Sequence, residues 1–454
     1  MIEKIVLVGA GSAMFTIGVV SDLVQSGRPV ELALVDINPT ALETAEKLCR
    51  KMIAAKDAPI KLSTALDRRT VLPGATAVIS VIGVGGRRAW EQDVFQARKY
   101  GIFMPVGDSA GACGTSRALR MIPAVVNLAQ DVLDLCPDAL FFNYANPMSP
   151  ICRAVHKATG AEIVGLCTGT WDTVHYLAKT LQVPFEDLSY NAAGINHLTW
   201  FNEIRVKGKD ALPKLKDHAK ETLANVQRLY TEFRANGTPL PNNGSAFNSS
   251  LGSPFAWQCL LWFEAFPSPE DRHITEFFPQ LFRDGSYYGK KLGVDEFSFE
   301  RTIEIGDEIF AKMRADAISP KPLSKNYFEK HTGEQEQVIE IISAIRANQP
   351  MTFFANLPNQ GQAPNLPLDA IVETPAIATG NGIRALTQKP LPSAAAGVLS
   401  GRFAWVEVVV EAALEKSRDK FIQALILDGG VTSPDVAVVL ADDLLAAQQE
   451  YLNW

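Results

Sequence analysis

The stretch KIVLVGAGSAMFTIG, residues 4–18, decides the fold. Ile5 to Val8 is an unbroken apolar run, the mark of a strand buried on both faces in a parallel sheet. Gly9 and Gly11 follow at once, and a helical pattern runs from about Ala13 to Ser26. Glycine belongs where a chain turns tightly and its backbone must come close to another group. The helix start behind it offers unpaired N–H donors that suit a pyrophosphate. The third glycine of a GxGxxG fingerprint is missing, with Met14 in its place. Asp36 closes a second strand, Val30–Val35, at the distance where a carboxylate accepts ribose hydroxyls and repels a 2′-phosphate. Gly9, Gly11, Ser12 and Asp36 are therefore expected to hold NAD in preference to NADP. A tight strand–helix turn without a ligand is the plainer alternative.

Outward from this stretch, Asn38-Pro39-Thr40 starts a helix with proline just inside it. Further strands are expected at 61–64, 77–82, 140–144 and 162–166, with helices between most of them, notably 115–135. That alternation predicts an α/β, Rossmann-like doubly wound parallel sheet. In such a sheet ligands lie beyond the carboxyl ends of the strands. The segments IGVGG (82–86) and NYANPM (143–148) follow two of those ends, which adds Gly83, Gly85, Asn143 and Asn146 to the cofactor set. Asn146 is also suited to a substrate hydroxyl. Ordinary turn chemistry accounts for each of these equally well.

Beyond residue 190 the texture changes. A strand is expected at 198–206, a polar helix at 211–236 and an Asn/Gly/Ser/Pro-rich loop at 237–254. Helices are expected at 300–318, 333–348, 393–416, 418–426 and 434–451, and strands at 352–355 and 370–373. The division expected is a NAD-binding domain over 1–190 and a C-terminal α+β domain over 191–454, for substrate and oligomerisation.

The chain has 454 residues, 47% hydrophobic and 20% charged, a globular composition. Lys plus Arg number 43 against 50 Asp plus Glu, a net charge of -7, which argues against nucleic acid as a main partner. The six cysteines are scattered with no CxxC pair and read as reduced thiols of a cytoplasmic protein. Ile5–Val20 imitates a signal-peptide core but is broken by Gly9, Gly11, Ser12 and Thr16. No other unbroken apolar run is long enough for a membrane span, so no membrane is expected. Cys167 ends VGLC, and His197 lies thirty residues on in GINHLTW. Thiolate and imidazole together suit a borderline divalent ion; a buried thiol and a hydrogen-bonded core histidine are the alternative.

These segments accumulate in one order: GAGS, VGG (84–86), GIFMPVGDSAG (101–111), RALRMIP (117–123), NYANPM, GLC (165–167), GINHLTW (194–200), DRHITEFFP (271–279) and NLPNQGQAPNLPLDAIVETP (356–375). The chain thereby resembles glycoside hydrolase family 4, the NAD-dependent glycosidases, over about residues 3 to 430. The resemblance implies transient oxidation of the sugar at C3 by NAD, loss of the C2 proton, elimination of the aglycone, addition of water and return of the hydride. It implies a divalent ion, usually manganese, held by Cys167 and His197, with Asn146 and His197 beside the sugar. It also implies a dimer or tetramer.

The chain departs from that pattern in two places. Many members carry His or Asp directly after the metal cysteine, where this chain has Thr168, a poor general acid. Either the leaving group then departs through water, or Asp172, His175 or another residue supplies its proton. The usual Gly-Pro-Gly-Gly is altered to Gly111-Ala112-Cys113-Gly114. Asp271 or His273 is expected to do proton work, with Arg272 facing an anionic group or the enolate; an ion pair at a helix start is the plainer reading. Arg87, Arg88, Arg117 and Arg272 are candidates for a charged C6 substituent, since guanidinium forks suit carboxylate and sulfonate. The substrate expected is a uronide, a sulfoquinovoside or a neutral hexoside. The competing readings are a dehydrogenase of a sugar or hydroxy acid that makes NADH stoichiometrically, and a non-catalytic NAD(H) sensor.

Overall fold

Ile5 and Leu7 of strand β1 (Glu3–Val8) pack to one side and Val6 and Val8 to the other, and all four are buried. Such a strand needs cover on both faces. The computed structural model describes residues 2–12, 15–328 and 337–452. In it β1 pairs in parallel with β2 (Val30–Val35) on one side and β4 (Ala77–Ser80) on the other. With β3 (Ile60–Ala65), β5 (Leu140–Asn143) and β6 (Val164–Gly165) the order is β3-β2-β1-β4-β5-β6. This is the doubly wound arrangement the sequence predicts, and its order reverses between β1 and β4. β4 is shorter than expected: Val81 still donates to the Val8 carbonyl, and the chain then leaves the sheet toward Gly83. The fifth expected strand boundary contracts to Leu140–Asn143, and the sixth strand to Val164 and Gly165.

The same sheet continues past β6. Met351–Pro358 joins β6 antiparallel at one residue pair, Asn356 with Gly165. Ile371–Thr379 follows, then β7 (Leu188–Ile195), β8 (Leu198–Val206) and Phe266–Ser268; with Gly382–Ala385 on Ile371–Thr379 and Lys209–Asp210 on β8, this sheet has thirteen strands among the described residues. The sequence analysis missed β7 and Phe266–Ser268. LSYNAAGI carries no clean alternation, and its Asn191, Ala192 and Ala193 are buried only because other strands and the chain beyond residue 360 cover them.

Helix α1 (Thr16–Ser26) follows β1, and α2 (Pro39–Ala55) follows β2. Asn38 caps α2 as its sequence predicts, its side-chain oxygen accepting from the Thr40 and Ala41 amides. α3 (Gly86–Arg98) follows β4, and α4 (Gly111–Leu135) starts four residues earlier than expected. α5 (Met148–Thr159) and α6 (Gly169–Leu181) complete the first half. Of the helix expected at 333–348, Val338–Ala347 is helical, and 333–336 lie outside the described residues. The ten-residue helix Pro254–Phe263 was not foreseen.

Ser393–Glu415 is long and apolar enough, by length and composition alone, to cross a membrane, contrary to the expectation of no such segment. Here it is packed within the fold, with Leu399, Trp405 and Val409 buried and Arg402 paired to Asp428 of Arg418–Asp428. The six cysteines are free thiols.

A buried ion pair holds the loop after β4. Arg120 of α4 grips Asp93 of α3 with both terminal nitrogens, at 3.0 and 2.6 Å, and both side chains are fully buried. Ser116 and Gln448 also donate to Asp93, and the Arg120 Nε donates to the Val84 carbonyl. Removing one partner would strand the other charge. Asp93→Asn is expected to cost about 3–5 kcal/mol, whereas an Asp93→Leu, Arg120→Met double variant recovers much of it. Urea unfolding measures both; a single-variant loss below about 1 kcal/mol would remove the pair from this role.

Candidate active site

At the β1–β4 switch the glycines stand where side chains have no room. Gly9 has φ +94°, and a Cβ there would lie 2.8 Å from the Val81 carbonyl. A Cβ on Gly11 would lie 2.6 Å from Ala41 Cβ and 2.8 Å from Asp36 Oδ2. Asp36 is half-buried and accepts the Gly11 and Asn38 amides, each at 2.8 Å. A carboxylate has about four lone-pair sites, so two remain for ribose hydroxyls. The Ser12 Oγ accepts the Phe15 amide at the start of α1. Gly83 is exposed, and a Cβ there would meet nothing within 4 Å, so its backbone faces open space beyond the switch. Gly85 lies under the Tyr451 ring and precedes α3. These residues fit a dinucleotide. Asn143 does not join them through its amide. It is fully buried, donates to the Ala145 carbonyl and accepts the Ala145 amide, so it shapes the turn that presents Asn146.

Past this point lies a cluster of polar side chains from distant parts of the chain. Asn196 and His197 form the two-residue turn between β7 and β8, with His197 at φ +67°. Gly194 lets that turn close, since a Cβ there would lie 2.2 Å from the Leu198 carbonyl oxygen. Asp108 follows Gly107 in the loop before α4, and His273 comes from the helical turn Asp271–Ile274. One ligand atom from each of Asp108, His197 and His273 lies within 4.8 Å of the others. The two imidazole rings are 4.2 Å apart, and His197 Nδ1 is 3.9 Å from Asp108 Oδ1. Asp108 is aimed by its neighbours: Ser109 donates to one oxygen at 2.7 Å and Asn146 to the other at 3.0 Å.

Five buried polar atoms here have no hydrogen-bond partner among the described residues: Asn146 Oδ1, Asn196 Oδ1, His197 Nδ1, His273 Nδ1 and Arg272 Nε. Buried orphans are costly, and several facing one cluster mark a ligand's place. Burial pushes the Asp108 carboxyl up, but His197 and Arg117 outweigh it and hold it below the usual range. Burial also holds His197 low and His273 well below its ordinary value. Neutral imidazoles beside an ionised carboxylate suit a divalent cation.

Two buried carboxylates set these groups in place. Glu276, three residues after His273, accepts the Val106 amide at 2.6 Å and the Gly107 amide at 2.8 Å, just ahead of Asp108. Burial pushes it up to about 8, against those two donors. Glu373 accepts from Asn196 (3.1 Å), Asn356 (2.9 Å) and Thr199 (2.6 Å). Asn196 in turn hydrogen-bonds Cys167, whose thiol burial pushes up to about 12. Cys167 does not join the Asp108–His197–His273 group. Asp108, Glu276, Glu373 and Asn196 went unassigned from sequence. Each sits in a segment already conspicuous there, VGDS, HITEF, VET and INH.

Other expected residues are brought elsewhere. Asp271 is fully buried and accepts the Phe255 and Ala256 amides and the Tyr287 hydroxyl, so it anchors the start of Pro254–Phe263 and is not aimed at the cluster. Arg87 and Arg88 are both tied to Asp307, so they are spent on an ion pair at the surface. His175 turns to the Trp171 carbonyl and the Phe185 ring. Asp172 is on the first turn of α6, near enough to raise the Cys167 thiol. Arg117 does reach the cluster, donating to the Asn146 carbonyl at 2.9 Å. Arg272 lies beside it with its guanidinium 4.8 Å from the Phe247 ring centre. Neither Arg117 nor Arg272 has a carboxylate within 4.0 Å among the described residues, unlike Arg120.

Comparison with known proteins points one way. The family 4 glycosyl hydrolase model matches residues 4–183, and the model of that family's C-terminal domain matches 192–431. An alpha-glucosidase of Erwinia rhapontici is 33% identical over the whole of both chains. An alpha-galacturonidase of Thermoanaerobacterium saccharolyticum is 29% identical over 84% of this chain and 81% of its own. A 6-phospho-alpha-glucosidase from gut microorganisms, solved with NAD and Mn2+, superimposes with a TM-score of 0.80 at 19% identity, over 100% of this chain and 99% of its own.

Glu276→Ala would orphan two buried amides and is expected to cost about 2 kcal/mol or more, while Glu276→Gln, which keeps an acceptor oxygen, costs less. Equal stability of the alanine variant and the parent in chemical denaturation would show that the Asp108 loop holds itself.

Proposed function

The chain belongs to the family 4 glycosyl hydrolases, and on that premise we propose that it is an NAD-dependent glycosidase acting on a glycoside with an anionic C6 group. The observation that carries the reading is the meeting, past the β1–β4 switch, of a dinucleotide-type glycine turn and a cluster of unpaired polar groups. Gly9, Gly11 and Ser12 would take the pyrophosphate of NAD, Asp36 the adenine ribose, and Gly83 and Gly85 the approach to the nicotinamide. NAD, when bound, supplies a reversible hydride acceptor for a sugar carbon, and a divalent ion supplies Lewis-acid polarisation of the neighbouring oxygens.

The chain's own groups do the rest. Asn146, held to Asp108 through its side-chain NH2, keeps its side-chain oxygen Oδ1 for a sugar hydroxyl. In this reading Asp172, on the first turn of α6, delivers the leaving-group proton that Thr168 cannot. Arg272 and Arg117 recognise the charged substituent. Arg117 and Arg272 feel Asp108 only from beyond ion-pair distance, whereas Arg87 and Arg88 are tied directly to Asp307, so the first two are the guanidinium groups better placed to take up an anion. That argument favours a uronide or sulfoquinovoside over a neutral hexoside. The galacturonidase relative acts on an acidic sugar, by its name, and the glucosidase relative on a neutral one.

Nitrophenyl uronides, sulfoquinovosides, 6-phosphohexosides and neutral hexosides distinguish these outcomes. Nitrophenol release is expected to require NAD, to fall with chelator, and to leave no net NADH. Stoichiometric NADH without nitrophenol would make the chain a dehydrogenase instead. In heavy water, deuterium is expected at C2 of the product. Asp36→Ala should weaken NAD binding by about tenfold or more, the worth of a charged hydrogen bond, and unchanged affinity would misplace the cofactor. Arg272→Met should depress kcat/KM for the charged substrate more than for a neutral one; equal losses would count against the anionic substituent.

A further inference from the structure

Loop 237–253 joins the helices Leu212–Asn236 and Pro254–Phe263 and carries Phe247, over whose ring the Arg272 guanidinium lies at 4.8 Å. We propose that Phe247 is a specificity-determining residue: its ring holds the Arg272 guanidinium without offering it an acceptor oxygen, which leaves the N–H groups of Arg272 for the anionic C6 group. This rests on the reading that Arg272 meets that group, and it gives the positioning of Arg272 to a loop outside the polar cluster.

Three observations carry it. First, the partner is a ring and not a carboxylate. Arg120, Arg153 and Arg402 each meet an acid, which fills both their charge and their donors. An aromatic face attracts a cation through its quadrupole and neutralises nothing. Arg272 is thus held without being spent. Among the described residues its side chain makes one hydrogen bond, a long one of 3.4 Å to Thr302 Oγ1, and its buried Nε makes none. Second, the contact is not core packing. Phe247 is 41% exposed, whereas Phe255 and Phe278 on the adjoining segments are buried.

Third, the loop is fastened on both sides of Phe247. Ahead of it, Leu240 packs on Gly289, where a Cβ would lie 2.9 Å from Leu240 Cδ1. Behind it, the buried Glu296 accepts the Ser250 amide at 2.6 Å and the Ser249 and Ser250 hydroxyls at 2.9 and 2.6 Å. Glu296 also pairs with the buried Lys290 at 2.6 Å. A buried ion pair needs its remaining lone pairs filled, and the loop fills them. At the tip, Ser245 Oγ accepts the Phe247 and Asn248 amides at 3.1 and 3.0 Å. The same frame reaches Arg272 from its other side. Tyr287, beside Lys290 in the small ribbon Ser286–Tyr287 and Lys290–Lys291, donates to Asp271 at 2.5 Å, and Ser253 donates to Glu270 at 2.7 Å. Ring and guanidinium are therefore set by one framework. Fixing a flexible side chain before the ligand arrives lowers the entropy lost on binding, so the gain falls on affinity.

Calorimetry on the NAD-loaded protein, with galacturonate, glucuronate and sulfoquinovose each set against its neutral hexose, reads the acid preference as a ratio of Kd values. The parent is expected to prefer one of the acids. Phe247→Leu, which keeps apolar bulk and loses the ring, is expected to narrow that ratio about three- to tenfold, and Phe247→Trp to retain it. In an Arg272→Met background Phe247→Leu is expected to narrow it no further. In turnover of the matching nitrophenyl glycoside the loss is expected in KM and not in kcat. The proposal is overturned if Phe247→Leu weakens acid and hexose alike or leaves the ratio unchanged. Loss of the ratio in Phe247→Trp, or an added effect on top of Arg272→Met, overturns it equally. A parent without acid preference, or an Arg272→Met variant that keeps it, would remove the anionic-substrate reading and this proposal together. Loss of preference in Arg272→Met beside full preference in Phe247→Leu would remove this proposal alone.

Discussion

The site depends on the grip of the Glu276 carboxylate on the backbone of Val106 and Gly107. Asp108 belongs to the parallel half of the chain, and His273 to the part that follows the antiparallel strands. One side chain joins the two loops. It does so at some expense, since burial and the nearby Asp108 charge favour its neutral form against the two amides and Arg272. Arg402 acts similarly from further away. It pairs with Asp428, which accepts the Gly111 amide, and it also donates to the Phe277 carbonyl. The C-terminal helices therefore reach both loops that form the cluster.

The arginines divide by their partners. Arg120, Arg153 and Arg402 are buried or nearly so and each meets a carboxylate, so their charge is balanced within the fold. Arg87 and Arg88 share Asp307. Arg117 and Arg272 stand beside the polar cluster with no carboxylate at ion-pair distance among the described residues. A folded chain tolerates this where a ligand completes the electrostatics, which is why burial and pairing together, and not burial alone, separate the structural cations from those open to a ligand.

The cluster is also where local rules are broken. His197 holds a left-handed backbone conformation, three ring or guanidinium nitrogens lack partners, and two histidines are packed against each other. Elsewhere caps, glycines and apolar alternation agree with the local fold, as in the Asn38 cap and the two-sided burial of β1. Left-handed residues and orphaned polar atoms occur elsewhere too, as at Ser253 and Trp200 Nε1, but in this cluster they coincide with two packed histidines and a carboxylate, the convergence a functional site leaves behind.

Sequence by itself determined the parallel sheet, the glycine turn and Asp36, because each is written within a few residues. An unbroken apolar run must be buried on both faces, and a glycine at φ +94° has no substitute. It also yielded His197, His273 and Arg272 as chemically apt residues. Tertiary structure alone decided which of them meet. Asp271 and His273 are two positions apart, yet the turn Asp271–Ile274 sends one into the core against the Phe255 and Ala256 amides and the other toward His197. Asp108 and His197 are 89 positions apart and come within 3.9 Å because β7 and β8 join the far edge of the same sheet. Spacing along a chain fixes direction only within a helix or a strand. Convergence across the sheet is set by packing, and no local pattern encodes it.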